Sequence, residues 1–157
     1  MKAEKFCECV KQCRDDLYIL ALAILRNEAD AEDAVSNAIV KAYENMDQVS
    51  ALHKFKPWML TITKNEALKL KKKRLYLPGD DVVEALAKPV RAQYDELWDI
   101  LQNMKEEYRL TVVLFYYDGL SLRDIADVLD VPVGTVKSRL NRGRTELKAA
   151  LERGERK

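Results

Sequence analysis

Phe6, Val10, Cys13, Leu17, Leu20 and Ile24 are apolar positions separated by alternating steps of four and three residues. An α-helix puts such positions on one face, so the spacing predicts a long amphipathic first helix. After the polar break Arg26-Asn27-Glu28, Asp30 stands where an N-cap is expected, with Glu32 and Asp33 in the positive first turn. The stripe Val35, Ile39, Ala42 and Met46, with Ala34, Ala38 and Tyr43 beside it, gives a second helix of about four turns. A third is predicted from near Pro57, because a first turn tolerates a residue without an N–H. Trp58, Ile62, Asn65 and Lys69 fall on one side of it, and the expected buried stripe runs through Trp58 and Ile62. Met59, Leu60, Leu68 and Thr63 supply other contacts. Phe55 sits just before the helix, where a hydrophobic staple packs. The helix ends in Lys71-Lys72-Lys73-Arg74, four cations at the negative end of its dipole.

Residues 76–93 carry Pro78-Gly79 and Pro89 with little periodicity and read as a linker. Helical spacing resumes with Tyr94, Leu97, Leu101 and Met104. Residues 110–117 would form a strand on propensity alone. No partner strand is nearby and Asp118-Gly119 looks like a helix stop, so a helix buried on most sides is the expectation. In 121–140, Ser121 and Asp124 resemble a capping box, and Ile125, Ala126 and Leu129 form the inner face of a short helix. Val131-Pro132-Val133-Gly134 breaks it, and Thr135 is expected to cap the next helix through its hydroxyl. The predicted fold is all-α: two small helical domains (1–75 and 94–157) joined by the 76–93 linker, the second containing a helix-turn-helix.

Charge changes the picture more than composition does. The chain has 157 residues, with 27 Lys and Arg against 26 Asp and Glu, a formal charge of only +1. By segment the net charge is −4 over 1–50, +7 over 51–76, −7 over 77–131 and +5 over 132–157. A single basic block is usually a solvated face. Two at helical spacing, in two parts of one chain, fit two surfaces that track phosphates.

Several function classes fall away. No apolar run reaches the roughly 18 residues of a membrane span, and the mixed N-terminus is not a secretory signal. Cys7, Cys9 and Cys13, an odd and crowded set, make no disulfide framework, so the chain reads as reduced and cytoplasmic. They make a poor zinc site as well, since Cys7 lies off the helical face of the other two and His53 is the only His. That lone His offers no paired nucleophile, and the five glycines form no phosphate loop. No enzyme, metal or nucleotide cofactor is implied.

The second helix of the helix-turn-helix decides the function. Val136 and Leu140 point inward, leaving Lys137, Ser138, Arg139, Asn141, Arg142 and Arg144 largely for solvent. Such a helix fits the major groove, where Arg reads guanine edges and Asn reads adenine.

On these residues the chain resembles a known family. DGLSLRDIADVLDVPVGTVKSRLNRGRTELKAAL, extended upstream by MKEEYRLTVVLFYY, is similar to region 4 of the extracytoplasmic-function (ECF) sigma factors. FKPWMLTITKNEALKLKKKR at 55–74 is similar to the end of their region 2, and DAEDAVSNAIVKAYENM at 30–46 to the preceding polymerase-contacting helix. The resemblance implies that the chain binds core RNA polymerase, reads a minus-thirty-five element as duplex and captures a base of the melted minus-ten element. Ser138, Asn141 and Arg142 match groove-facing positions, with Arg123, Thr135, Lys137, Arg139 and Arg144 assigned to the same DNA surface. For the melted minus-ten strand the resemblance points to Lys54, Phe55, Lys56, Lys64 and Asn65, which with Trp58 supply cations, aromatics and an amide close together, although Trp58 is expected in the core. Asn65 matches the base-contacting asparagine, and Asp33, Ser36, Asn37 and Lys41 the polymerase contact. An anti-sigma protein is the further implied partner. Departures from the family pattern are Ser36-Asn37 for Gln-Glu, Lys69 for Asp, and Asp130 for Gly before the turn. The rival reading is a stand-alone helix-turn-helix regulator that binds operators without polymerase, which leaves the 51–76 block without a role. A third, a sigma mimic that binds an anti-sigma factor without touching DNA, does not need Lys137, Arg139 and Arg142.

Overall fold

The structure, a computed structural model, describes residues 1–75 and 96–155; the predicted linker at 76–93 and Tyr94 lie outside them. Among the described residues there are seven α-helices and no strand. The chain divides into two compact units, Met1–Pro89 and Val90–Lys157.

In the first unit, α1 (Ala3–Leu25), α2 (Glu28–Glu44) and α3 (Phe55–Leu75) each pack on the other two. All six residues of the predicted α1 stripe are buried, as are Ala21, Leu22 and Ala23, so its last turns are enclosed on most sides. Arg26 ends the helix in a left-handed conformation (φ 57°), its N–H donating to the Leu22 carbonyl. The N-cap of α2 is Asn27 and not Asp30: the Asn27 Oδ1 accepts from the Asp30 N–H at 2.9 Å. Asp30 is instead the third helical residue, buried, with its carboxylate against the guanidinium of Arg74 from the last turn of α3. The pair ties the start of α2 to the basic end of α3.

The buried face of α3 also differs from expectation. Phe55, Met59, Leu60, Thr63 and Ala67 are buried, while Trp58 and Ile62 are half-buried and Asn65 and Lys69 exposed. The phase is set by Phe55, which packs edge-on against Phe6 at 5.7 Å. Small Thr63 and Ala67 then meet the other helices, and the Thr63 hydroxyl donates to the Met59 carbonyl at 2.8 Å, so it is buried at little cost. The indole of Trp58 is too large for that close approach and lies at the boundary, its ring 5.9 Å from Phe55.

Along α1, Cys7 is exposed, Cys9 half-buried and Cys13 buried. Burial, and next the carboxylate of Asp16, push the Cys13 thiol up to about 11. Only the thiolate reacts. Alkylation of the folded chain at pH 8 is therefore expected to modify Cys7 first and leave Cys13 intact until denaturant is added. Mass spectrometry of peptides checks this, and early modification of Cys13 would contradict the α1 packing.

In the second unit, α4 (Glu96–Gln102) buries Trp98 and Leu101, with Trp98 edge-on to Tyr117 at 5.5 Å. Residues 110–117 are helical, as tertiary burial requires over strand propensity. However, α5 (Glu106–Val112) continues into a π-helical turn at Val113–Tyr117, with the Asp118 N–H reaching back to the Val113 carbonyl at 3.1 Å. Gly119 (φ +69°) ends it. In α6 (Leu122–Leu129), Ser121 Oγ accepts from the Asp124 N–H at 3.1 Å, and Ile125, Ala126 and Val128 are buried, with Leu129 only half-buried. Asp130 takes the left-handed conformation (φ 56°) at the turn, which an Asp accepts more readily than most residues. Finally α7 (Val133–Glu155) crosses α5 and α6. Thr135 does not cap it: the Pro132 carbonyl accepts from the N–H groups of Thr135 at 3.0 Å and Val136 at 3.2 Å, so Thr135 is inside the first turn. The fixed φ of Pro132 suits a helix start, which puts the boundary three residues earlier than a Thr135 cap would.

Candidate nucleic-acid interface

In α7 the inward residues are Val136, Leu140, Gly143 and Leu147. The remaining arc presents Lys137, Ser138, Asn141, Arg142 and Arg144 to solvent, with Thr135 and Arg139 half-buried at its edge. Arg123 is exposed on α6. Next to this arc is an open hollow of about 520 Å³, lined by Thr135, Ser138, Arg139 and Arg142 together with Glu107 and Tyr108 of α5 and Pro132 and Gly134 of the turn.

Three of the arginines are held by named partners. Arg139 lies 3.6 Å from a Glu107 carboxylate oxygen and Arg142 3.5 Å from Glu146 one turn on. Arg144 Nε donates to the Tyr116 hydroxyl at 2.6 Å, its guanidinium 5.4 Å from the Phe115 ring and 5.6 Å from the Tyr116 ring. The π-helical turn places both aromatics on that side. Solvent-screened ion pairs of this kind are worth little, so duplex phosphates can replace the carboxylates.

The first unit has its own cationic face. Asn65 is exposed and Lys64 half-buried on α3, with Lys69, Lys72 and Lys73 exposed farther along and Lys54 exposed in the turn before it. Lys56 is partly engaged inside the unit, its Nζ 2.7 Å from an Asp16 oxygen. Phe55 is only 3% exposed, so it is a core residue and not a base contact. Trp58, half-buried at the boundary, stands about two helical turns before Asn65 on α3. Its pairing with Ile62 in the hydrophobic pattern predicts a core position, and the phase set by Phe55 puts it at the boundary instead.

On α2, Asp33, Ser36 and Asn37 are exposed, and Lys41 is 3.4 Å from Glu66 of α3. Val40 on α2 and Leu52 in the following turn are exposed apolar residues that the periodicity did not single out, and Tyr43, expected beside the buried stripe, is 47% exposed with its ring 5.6 Å from that of Phe6. The available signal was that Val40 follows Asp33, Ser36 and Asn37 at helical spacing, one position off the buried stripe. Arg109, 1% exposed, was also missed. It donates to the Met104 carbonyl at 2.7 Å, bracing the α4–α5 turn from within.

The Sigma-70 region 2 family matches residues 9–75, and Sigma-70 region 4 matches 94–147. The chain is 32% identical to the ECF RNA polymerase sigma factor SigW of Bacillus subtilis, over 94% of this chain and 89% of SigW. It belongs to the ECF sigma factors. RNA polymerase sigma factor SigV of the same organism is 28% identical, over 85% of this chain and 83% of SigV. Among solved structures, the sigma factor RpoE in complex with the anti-sigma factor NepR from Bartonella quintana has the same fold, with TM-score 0.80 and 24% identity over 96% of this chain and 98% of that one. CnrH, in complex with the cytosolic domain of CnrY, has it too, with TM-score 0.72 and 22% identity over 96% of this chain and 90% of CnrH. As an ECF sigma factor the chain is an alternative sigma factor for transcription initiation, and the stand-alone regulator is not favoured. Sigma factors are not enzymes. No helix among the described residues is long and apolar enough to cross a membrane.

Proposed function

We propose that the two cationic faces divide promoter recognition between them. The second domain, 94–157, lays α7 in the duplex major groove of the minus-thirty-five element. Ser138, Asn141 and Arg142 meet base edges there, and Arg123, Thr135, Lys137, Arg139 and Arg144 hold phosphates and fix the register. The first domain, 1–75, stabilises the melted minus-ten strand: Asn65 takes an unstacked base, while Lys54, Lys56 and Lys64 draw in the backbone and Trp58 offers an aromatic edge. The 76–93 segment joins them across polymerase. Asp33, Ser36, Asn37 and Lys41 form the polymerase contact, and the chain itself carries no catalytic group. An anti-sigma protein that covers these faces in the cytoplasm is the corresponding control.

The observation that carries this reading is the presence of exposed basic residues on each compact unit, in one on the helix that carries exposed Asn65 and half-buried Trp58, in the other on α7. Permanganate footprinting of holoenzyme on a promoter selected by the wild-type chain tests it. Asn65→Ala is expected to keep promoter occupancy and lose most thymine reactivity. Arg142→Ala should cost about 10-fold or more in occupancy, since one good bidentate base contact is worth about 1–3 kcal/mol. Equal opening by the Asn65 variant would remove that residue from the mechanism. A promoter shift as strong without core polymerase as with it would restore the stand-alone regulator.

A further inference from the structure

Arg144 differs from Arg139 and Arg142 in what holds it. Those two lie against carboxylates, of Glu107 and Glu146, which a phosphate would have to displace. Arg144 is met by uncharged groups: the Tyr116 hydroxyl accepts from its Nε at 2.6 Å, and the rings of Phe115 and Tyr116 lie 5.4 Å and 5.6 Å from the guanidinium carbon. Among the described residues no carboxylate pairs with it, so its charge is not neutralised. A guanidinium donates from Nε and from both terminal nitrogens, and the bond to Tyr116 leaves the terminal pair for a ligand. Both rings are within cation–π range and add attraction without cancelling the charge. Lys137, Asn141 and Arg144 follow at steps of four and three, so Arg144 stands on the side of α7 that Asn141 presents. Tyr116 comes from the π-helical turn Val113–Tyr117, a rare geometry that recurs at functional sites. It is 49% exposed, so its hydroxyl has little to do with stability.

We propose that Tyr116 is a positioning residue that holds Arg144 ready for a backbone phosphate of the minus-thirty-five duplex. This rests on the reading that Arg144 contacts that backbone. The phosphate takes the terminal nitrogens, so the bond from Nε persists in the complex and nothing is broken on binding. A long side chain is then already ordered in the free protein, and apparent affinity rises with the fraction of molecules in the competent arrangement.

The test uses holoenzyme, assembled with core polymerase, on a duplex that carries the minus-thirty-five element selected by the wild-type chain and ends before the minus-ten element, so that strand opening does not enter. Tyr116→Phe keeps the ring and removes only the hydroxyl. It is expected to bind about 2- to 5-fold more weakly, as for one side chain that must be ordered on binding, with an unchanged melting midpoint. The salt dependence should keep its slope in Tyr116→Phe, whose arginine still reaches the phosphate, and become shallower by about one counterion in Arg144→Ala. In the Arg144→Ala background, Tyr116→Phe should have no further effect. Neutral methylphosphonates placed one at a time locate the contact: the replacement that weakens wild type and is silent in Arg144→Ala should cost Tyr116→Phe less than it costs wild type. Wild-type affinity in Tyr116→Phe, a loss that persists without Arg144, or a change in sensitivity to every methylphosphonate alike would overturn the proposal. Arg144→Ala reports on the underlying reading separately: if it binds as wild type does, Arg144 is no phosphate contact and the proposal falls with it.

Discussion

Gly143→Ala is expected to destabilise the second unit, although alanine is the better helix former. The exchange alone favours the helix by about 1 kcal/mol. Against this, a Cβ at position 143 would lie 2.6 Å from Val112 Cγ2 and 3.5 Å from Met104 Cε. Val112 is fully buried, and its branched side chain has essentially one rotamer in a helix, so the methyl cannot swing aside. Overpacking of a close-packed core costs about 1–3 kcal/mol. The overlap is with a stiff neighbour, so the upper part of that range applies and the net loss is about 1–2 kcal/mol. For a unit of this size the melting midpoint should fall by about 5–10 °C. Gly143→Val should be worse. Thermal melts of Gly143→Ala in the Val112→Ala background identify the cause: with the methyl removed, the alanine should become neutral or stabilising. If Gly143→Ala stabilises the otherwise unchanged chain, the α5–α7 crossing adapts and the close approach is not a constraint. The crossing also fixes the direction in which α7 presents Asn141 and Arg142, so loss of duplex binding should accompany loss of stability.

The recognition helix was largely legible in the sequence because its constraints are local. Ser121, Gly119 and Pro132 each act on the backbone within a few residues, and Val136 and Leu140 lie between polar neighbours that leave no doubt about the buried side. The first unit was legible wherever a stripe was uninterrupted, as in α1. It was misread where two phases were nearly equivalent. In α3 both Trp58–Ile62 and Met59–Thr63 offer apolar or small positions, and the choice depends on Phe55 finding Phe6 in another helix. That contact is between residues far apart in sequence, so propensity and periodicity carry no trace of it. The same holds for Asp30. Its type and place suit a cap, but Asn27 reaches the orphan N–H first, and Arg74, 44 residues on, gives the carboxylate another role. The π-helical turn had no sequence signal either. It inserts one residue per turn, and its effect, bringing Phe115 and Tyr116 against Arg144, shows only in three dimensions.

That long-range pair carries the second large effect. Arg74→Met keeps most of the aliphatic stem and removes the guanidinium, leaving the Asp30 carboxylate, 6% exposed, without its counter-charge. Stranding a buried charge costs about 3–5 kcal/mol. Arg74 is itself 36% exposed and water can enter the space it leaves, so about 1–3 kcal/mol is expected at pH 7. Burial raises the Asp30 carboxyl above its ordinary 3.8; Arg74 lowers it by less, and neighbouring Asp33 adds to the rise. The folded chain therefore takes up this proton at higher pH than the unfolded chain does. This group accordingly penalises the fold above the folded pKa, and the penalty is relieved as pH falls through it towards the unfolded value. Without Arg74 the folded pKa rises further, so the deficit of the variant should be largest at neutral pH and shrink on acidification, as protonated Asp30 no longer needs a partner. Urea unfolding of both proteins at pH 7 and pH 5 measures this, and Asp30→Asn in the Arg74→Met background should recover most of the loss at pH 7. A deficit that is constant across pH would mean that Arg74 acts through packing alone. A pH-dependent deficit has a functional consequence, because Arg74 anchors the last turn of α3. Fraying there would scatter Lys72 and Lys73, so promoter opening should weaken at neutral pH and recover in the Asp30→Asn background along with stability.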